Sequence, residues 1–129
     1  MRILIVEDEA LVALSLEGML QDAGHTVIEP ALTSAAAMRI IKDECPDLAL
    51  VNINLKEERG AGIEVARYLL EHCGVPSIFV SGQILEAREN RDVALGYINK
   101  PYNKNTLLRS VEIARQIICG EAQASPHFT

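Results

Sequence analysis

Leu48-Ala49-Leu50-Val51-Asn52-Ile53-Asn54-Leu55 decides the fold. Pro46 and Asp47 lead into it, and Lys56-Glu57-Glu58-Arg59-Gly60 closes it. A short apolar run bounded by turn signals reads as a buried strand of a parallel sheet, because such a strand is covered on both faces. Asn52 breaks the pattern. It places a polar side chain where the strand emerges at its carboxyl end, the rim at which open α/β sheets bind ligands.

Outward from this strand, the chain alternates between strand and helix patterns. Arg2 to Val6 reads as a first strand, with Glu7-Asp8-Glu9 as the turn after it. Ala10 to Ala23 reads as a helix with Val12, Leu16, Met19 and Ala23 on its inner face and Leu14 nearly opposite. Gly24 suits its C-terminal cap. Thr26 to Glu29 is a second strand, and Thr33 or Ser34 caps a helix through Glu44 with Ala37, Met38, Ile41 and Cys45 inward. Beyond the central strand, Ile63 to Cys73 is helical, Ser77 to Ser81 is a strand, and Gln83 to Arg91 is a weak, polar helical stretch. Leu95 to Asn99 is the fifth strand. Asn103 or Asn105 caps a last helix to Ile118, with Leu107, Val111, Ala114 and Ile118 inward and Ile113 and Ile117 partly exposed. Five strands alternating with helices imply a doubly wound α/β fold with right-handed crossovers. The expected division is one domain over residues 1–119 and a frayed tail over 120–129.

The bulk numbers agree with a single domain. The chain has 129 residues, 49% hydrophobic and 23% charged, which excludes a disordered chain. No apolar run is long enough to cross a membrane, and the first strand is cut by Glu7-Asp8-Glu9 too early for a secretory signal. A cytoplasmic protein is expected. The net charge of −6 argues against direct nucleic-acid binding, which needs clustered Lys and Arg. Cys45, Cys73 and Cys119 lack metal-ligand spacing, and Cys45 and Cys73 read as small core residues. His25, His72 and His127 lie away from the rim and read as ordinary residues.

Every strand of such a sheet delivers its last residues to one edge. There Glu7, Asp8, Asn52, Ser81 and Lys100 converge. A carboxylate pair suits a hard cation such as Mg²⁺. A Ser and a Lys beside it can hold the oxygens of a phosphoryl group. Singly, each is an ordinary turn residue; the joint placement at the ends of four strands is what points to a site.

From Arg2 to about Ile118 the chain resembles the receiver domain of two-component response regulators. The residues that carry the resemblance are Val6-Glu7-Asp8-Glu9, Pro46-Asp47-Leu48 through Leu55, Phe79-Val80-Ser81-Gly82 and Gly96-Tyr97-Ile98-Asn99-Lys100-Pro101. The resemblance implies a flavodoxin-like five-stranded sheet of order 2-1-3-4-5. It also implies Mg²⁺ held by Glu7, Asp8 and the main-chain carbonyl of Asn54, with Ser81 and Lys100 on the phosphoryl group. Tyr97 would be the aromatic that turns inward on activation, and the Lys100-Pro101 bond is often cis in the family. The implied partners are a sensor histidine kinase or phosphotransfer protein and a downstream protein. A homodimer through the last helix and the fifth strand is a further implied contact.

Two departures matter. The family has the phosphoacceptor aspartate where this chain has Asn52, and a carboxamide is too poor a nucleophile to form an acyl phosphate. Asn54 and Asp47 do not replace it. Two readings stand: a naturally degenerate receiver that works without phosphate, or a receiver whose acceptor has been substituted. Either way Mg²⁺ binding should be weak, with Lys100 reaching towards Asp8 or Asn52. The interval between Ser81 and Tyr97 is also short for the family, so the fourth helix should be short or irregular. The expected function is therefore docking in a phosphorelay, not enzymatic turnover. The alternatives are a small Mg²⁺-dependent phosphoryl-transfer enzyme, or a nucleotide- or flavin-binding module, although no Gly-rich phosphate loop follows the first strand.

Overall fold

Strand residues alternate between faces, so a sheet buried on both sides needs apolar residues at consecutive positions. The computed structural model, which describes residues 1–55, 60–82 and 84–120, meets this requirement with five parallel strands: β1 (Arg2–Val6), β2 (Thr26–Val27), β3 (Leu48–Asn52), β4 (Ser77–Ser81) and β5 (Ala94–Asn99). Their order is β2-β1-β3-β4-β5, as the resemblance implies. The helices are α1 (Ala10–Asp22), α2 (Ser34–Asp43), α3 (Ala61–Cys73), α4 (Ile84–Glu89) and α5 (Lys104–Ile118). Ile3 and Ile5 of β1 face α1 and α5, packing with Leu16, Leu20, Leu107 and Val111. Leu4 and Val6 face the other way, towards Ile41 of α2 and Val65 and Leu69 of α3.

Local signals end the helices where they should. Thr33 caps α2 by accepting from the Ala36 amide at 3.0 Å, and Asn103 caps α5 by accepting from Thr106 at 2.8 Å. Gly24 follows α1 at φ 93°, a conformation that only glycine enters freely. The fourth helix has 6 residues, short as expected from the Ser81–Tyr97 interval. β2 is two residues long, shorter than the expected Thr26 to Glu29, and the chain after it stays beside β1 through the Ile28 amide on the Ile3 carbonyl, the Ala31 amide on the Ile5 carbonyl and the Glu7 amide on the Ala31 carbonyl. The turn Lys56 to Arg59, Gln83 and the tail with His127 lie outside the described residues.

Three expectations from periodicity are corrected. The inner face of α1 is Ala13, Leu16 and Leu20, with Val12 and Met19 only flanking it and Ala23 exposed at the C-cap. A wheel fixes the angle of a stripe to about one residue, and the small Ala13 is what lets the helix lie close on the sheet. Ile118 is 38% exposed instead of inward; the buried face of α5 is Leu107, Ser110, Val111 and Ala114. Ile113 and Ile117 are half-buried, as their positions on the wheel require.

The third correction is chemical. Cys45 and Cys73 are not core thiols but a disulfide, with Cα atoms 5.8 Å apart. Cys45 is exposed and Cys73 half-buried. α2 and α3 lie side by side on one face and both end at the amino-terminal edge of the sheet, which brings the two residues within disulfide reach. Cys119 remains a free, exposed thiol.

Candidate functional site

Glu7 is the first residue past β1 and the most deeply buried ionisable group described, at 2% exposure. Its backbone amide donates to the Ala31 carbonyl at 3.0 Å, which fixes the turn. A carboxylate taken out of water needs donors, and Glu7 has them on both oxygens. Lys100 Nζ lies 3.3 Å from Oε1. Oε2 accepts from Asn52 Nδ2 at 3.1 Å and from the Glu9 amide at 3.2 Å. The same Asn52 nitrogen lies 3.4 Å from Asp8 Oδ1. One carboxamide therefore bridges the two carboxylates.

Lys100 goes to Glu7, not to Asp8 or Asn52 as expected. Asn52 points its NH₂ group into the cluster and so offers the ammonium no acceptor there, whereas buried Glu7 has a free lone pair on Oε1. The lysine is placed by its backbone, whose amide donates to the Ser81 carbonyl at 3.0 Å. The Lys100-Pro101 bond that follows is cis. Ser81 closes β4 at 4% exposure, beside the strand that carries Asn52. Tyr97 pairs in register with Phe79 and lies half-buried against the α2–α3 side, apart from the hydrogen-bonded cluster. The Asn54 side chain accepts from the Gly60 amide at 2.7 Å, which ties the start of α3 to the end of β3.

One residue near the site escaped the sequence reading, and a second, Gly62, is tightly packed where the sequence suggests only a loosened loop. Tyr102 is half-buried two residues past Lys100, and burial together with the negative charge of Glu7 pushes its phenol above the usual pKa. Gly62, the second residue of α3, lies directly on the site strand. Its amide donates to the Ile53 carbonyl at 2.8 Å, and a β-carbon there would collide with the Asn52 carbonyl oxygen. Gly62→Ala should therefore displace α3 or the end of β3 and cost about 2 kcal/mol, the scale of overpacking in a tight core. Urea unfolding measures it; a loss below about 0.5 kcal/mol would show that the backbone gives way freely.

Among the described residues no group of three His, Cys, Asp or Glu surrounds a common point. The fit to Mg²⁺ is thus partial. Glu7 and Asp8 supply hard oxygen donors, but the Asn52 amide and the Lys100 ammonium already occupy the positions that a cation would neutralise.

Known proteins share the sequence pattern and the fold of this chain. The model of the response regulator receiver domain matches residues 3–112. The chain belongs to the receiver-domain family of response regulators. A crystal structure of a CheY-like receiver from Methanospirillum hungatei superposes with a TM-score of 0.84 at 30% identity, over 94% of this chain and 98% of that one. The transcriptional regulatory protein PdtaR of Mycobacterium tuberculosis is 27% identical over 115 residues, 88% of this chain and 56% of that protein. The phyllosphere-induced regulator PhyR of Methylorubrum extorquens is 38% identical over 80 residues, 61% of this chain and 30% of that protein. The chain thus spans about half the length, or less, of the curated relatives it matches. It is a receiver domain of two-component signalling, a family that generally binds Mg²⁺ at the phosphorylation site, docks on kinases or phosphotransfer proteins and is not generally enzymatic. No helix among the described residues is long and apolar enough to span a membrane.

Proposed function

We propose that this receiver acts in the cytoplasm as a docking module that does not take phosphate at position 52. The observation that carries the reading is the Asn52 Nδ2 to Glu7 Oε2 hydrogen bond of 3.1 Å. The carboxamide cannot attack a phosphohistidine, and its N–H groups supply part of the charge compensation that a metal would otherwise give Glu7 and Asp8. When Mg²⁺ is present, Glu7, Asp8 and the Asn54 carbonyl would hold it weakly, and it would add charge neutralisation at the rim. Ser81 and Lys100 keep their places as phosphoryl-binding residues, and Tyr97 its place as the switch aromatic, without an acyl phosphate to respond to. Incubation with acetyl phosphate and Mg²⁺, followed by intact mass measurement, tests the reading. The chain should gain no phosphoryl group and Asn52→Asp should gain one; a stable adduct on the Asn52 protein overturns it.

The partner in this reading is a sensor histidine kinase or phosphotransfer protein, and beyond it a downstream protein. Leu11 and Leu14 are 82% and 62% exposed on the first turns of α1, close in sequence to Glu7 and Asp8, and offer an apolar contact beside the acidic site. Leu14→Asp should leave urea stability within about 0.5 kcal/mol of the parent, as for a surface position, and weaken partner binding. A stability loss of several kcal/mol would make Leu14 a packing residue. A homodimer through α5 and β5 fits the same reading, since Ile113 and Ile117 are half-buried and β5 is the edge of the sheet.

A further inference from the structure

α3 is fastened at both of its ends. At the start, the Gly62 amide donates to the Ile53 carbonyl at 2.8 Å, and its backbone approaches Asn52 too closely for any side chain. At the finish, Cys73 is bonded to Cys45, which lies in the connection from α2 to β3. One fastening ties α3 to the residue just after β3 and the other ties it to the connection just before β3, at opposite ends of the strand. The bond is open to solution, because Cys45 is exposed and Cys73 half-buried. It lies at the edge of the sheet opposite Glu7, Asp8 and Lys100, so nothing in the acidic site accounts for it.

We propose that Cys45 and Cys73 are a reversible redox couple whose state sets how firmly α3 is held against β3. Hydrogen peroxide is the oxidant and a small thiol of the glutathione class the reductant. The thiolate of Cys45, the more accessible of the two, attacks the peroxide. A sulfur–oxygen bond forms, the oxygen–oxygen bond breaks, and the released hydroxide takes a proton to leave as water. The Cys73 thiolate then attacks the resulting sulfenic acid, forming the disulfide and expelling a second hydroxide, again protonated to water. Two electrons pass from the two sulfurs to the peroxide. Reduction runs by two thiol–disulfide exchanges, in which two reductant thiols end as their own disulfide and Cys45 and Cys73 recover their protons. Accessibility of the pair is what separates such a couple from a buried staple.

The experiment uses the full chain carrying Cys119→Ser, which removes the competing exposed thiol. Reduced protein is treated with hydrogen peroxide, and oxidised protein is equilibrated in glutathione buffers from oxidising to reducing. Alkylation and intact mass read the thiol state, and hydrogen–deuterium exchange reads α3. Peroxide should convert the two thiols to one intramolecular disulfide, and reducing glutathione should return both. Amides across α3 should exchange roughly tenfold faster in the reduced form, because opening of that helix is no longer tethered. The pair Cys45→Ser/Cys73→Ser, which keeps the chain free of the bond without any reagent, should match the reduced form. The proposal is overturned by a disulfide that survives the most reducing glutathione ratio, by thiols that stay unpaired under peroxide, or by α3 exchange that is the same in both states.

Discussion

Asn52→Asp is expected to be less stable than the parent in EDTA and to regain that stability in millimolar Mg²⁺. The substitution replaces a donor 3.1 Å from Glu7 Oε2 and 3.4 Å from Asp8 Oδ1 with a third carboxylate. Two like charges about 4 Å apart repel by about 4 kcal/mol at an effective dielectric of 20. The cluster is only partly buried, so solvent screens a good part of that. The lost hydrogen bond to a charged acceptor adds about 1.5 kcal/mol or more. Lys100 offsets some of both, since its ammonium already faces Glu7 at 3.3 Å. A net loss of about 2 to 4 kcal/mol follows. A cation at a hundred times its dissociation constant returns about 2.7 kcal/mol, so the variant recovers most of the loss, whereas the parent, with its bridging amide, responds little. Urea unfolding of both proteins in EDTA and in Mg²⁺ gives the four numbers. Equal stabilities in EDTA would show that the Asn52 amide contributes nothing to holding Glu7 and Asp8, and a parent that gains as much from Mg²⁺ as the variant would show that it does not stand in the way of the cation.

The chemistry of that cluster could be read before its geometry. Sequence places Glu7 and Asp8, Asn52, Ser81 and Lys100 each immediately at the end of a strand, and parallel topology then sends all of them to one edge. What periodicity could not give is which atoms pair. Lys100 could reach several acceptors, and the choice of Glu7 depends on the burial of that one carboxylate and on the way Asn52 turns its amide. Gly62 suggests only a loosened loop in the sequence for the same reason: the approach of α3 to Asn52 is a tertiary distance, not a local preference. The phase of a helix was readable only to about one residue, which is why Ala13 and Leu20 took the places expected for Val12 and Met19. Thr33 and Asn103, by contrast, act within their own turn, and their caps were legible to one of two residues each, Thr33 or Ser34 and Asn103 or Asn105, because nothing distant competes with them. Cys45 and Cys73 mark the limit most plainly. Their separation of 28 residues says nothing of proximity until α2 and α3 are known to lie side by side and end at the same edge.

That bond carries the second large expected effect. Reducing it should cost the protein about 3 to 4 kcal/mol, because cross-linking a loop of this length removes that much conformational freedom from the unfolded chain in the loop-entropy description. The sequence separation of 28 lies between the lengths for which that description gives about 3 and about 4.7 kcal/mol. In this description the effect arises in the unfolded state, separately from any loosening of α3 in the folded protein, where Ile41, Val65 and Leu69 pack together. Two consequences separate it from an ordinary packing loss. The dependence of unfolding free energy on urea should steepen on reduction, since an uncrosslinked chain exposes more surface. Cys45→Ala/Cys73→Ala should lose about as much as dithiothreitol takes from the parent and then show no further response to dithiothreitol, with Cys119→Ser in all samples to keep dimers out. For a domain of this size the thermal midpoint should fall by about 12 to 16 °C. A loss under about 1 kcal/mol with an unchanged urea slope would mean that the unfolded chain already keeps α2 and α3 together, and the cross-link would then contribute little beyond what their packing provides.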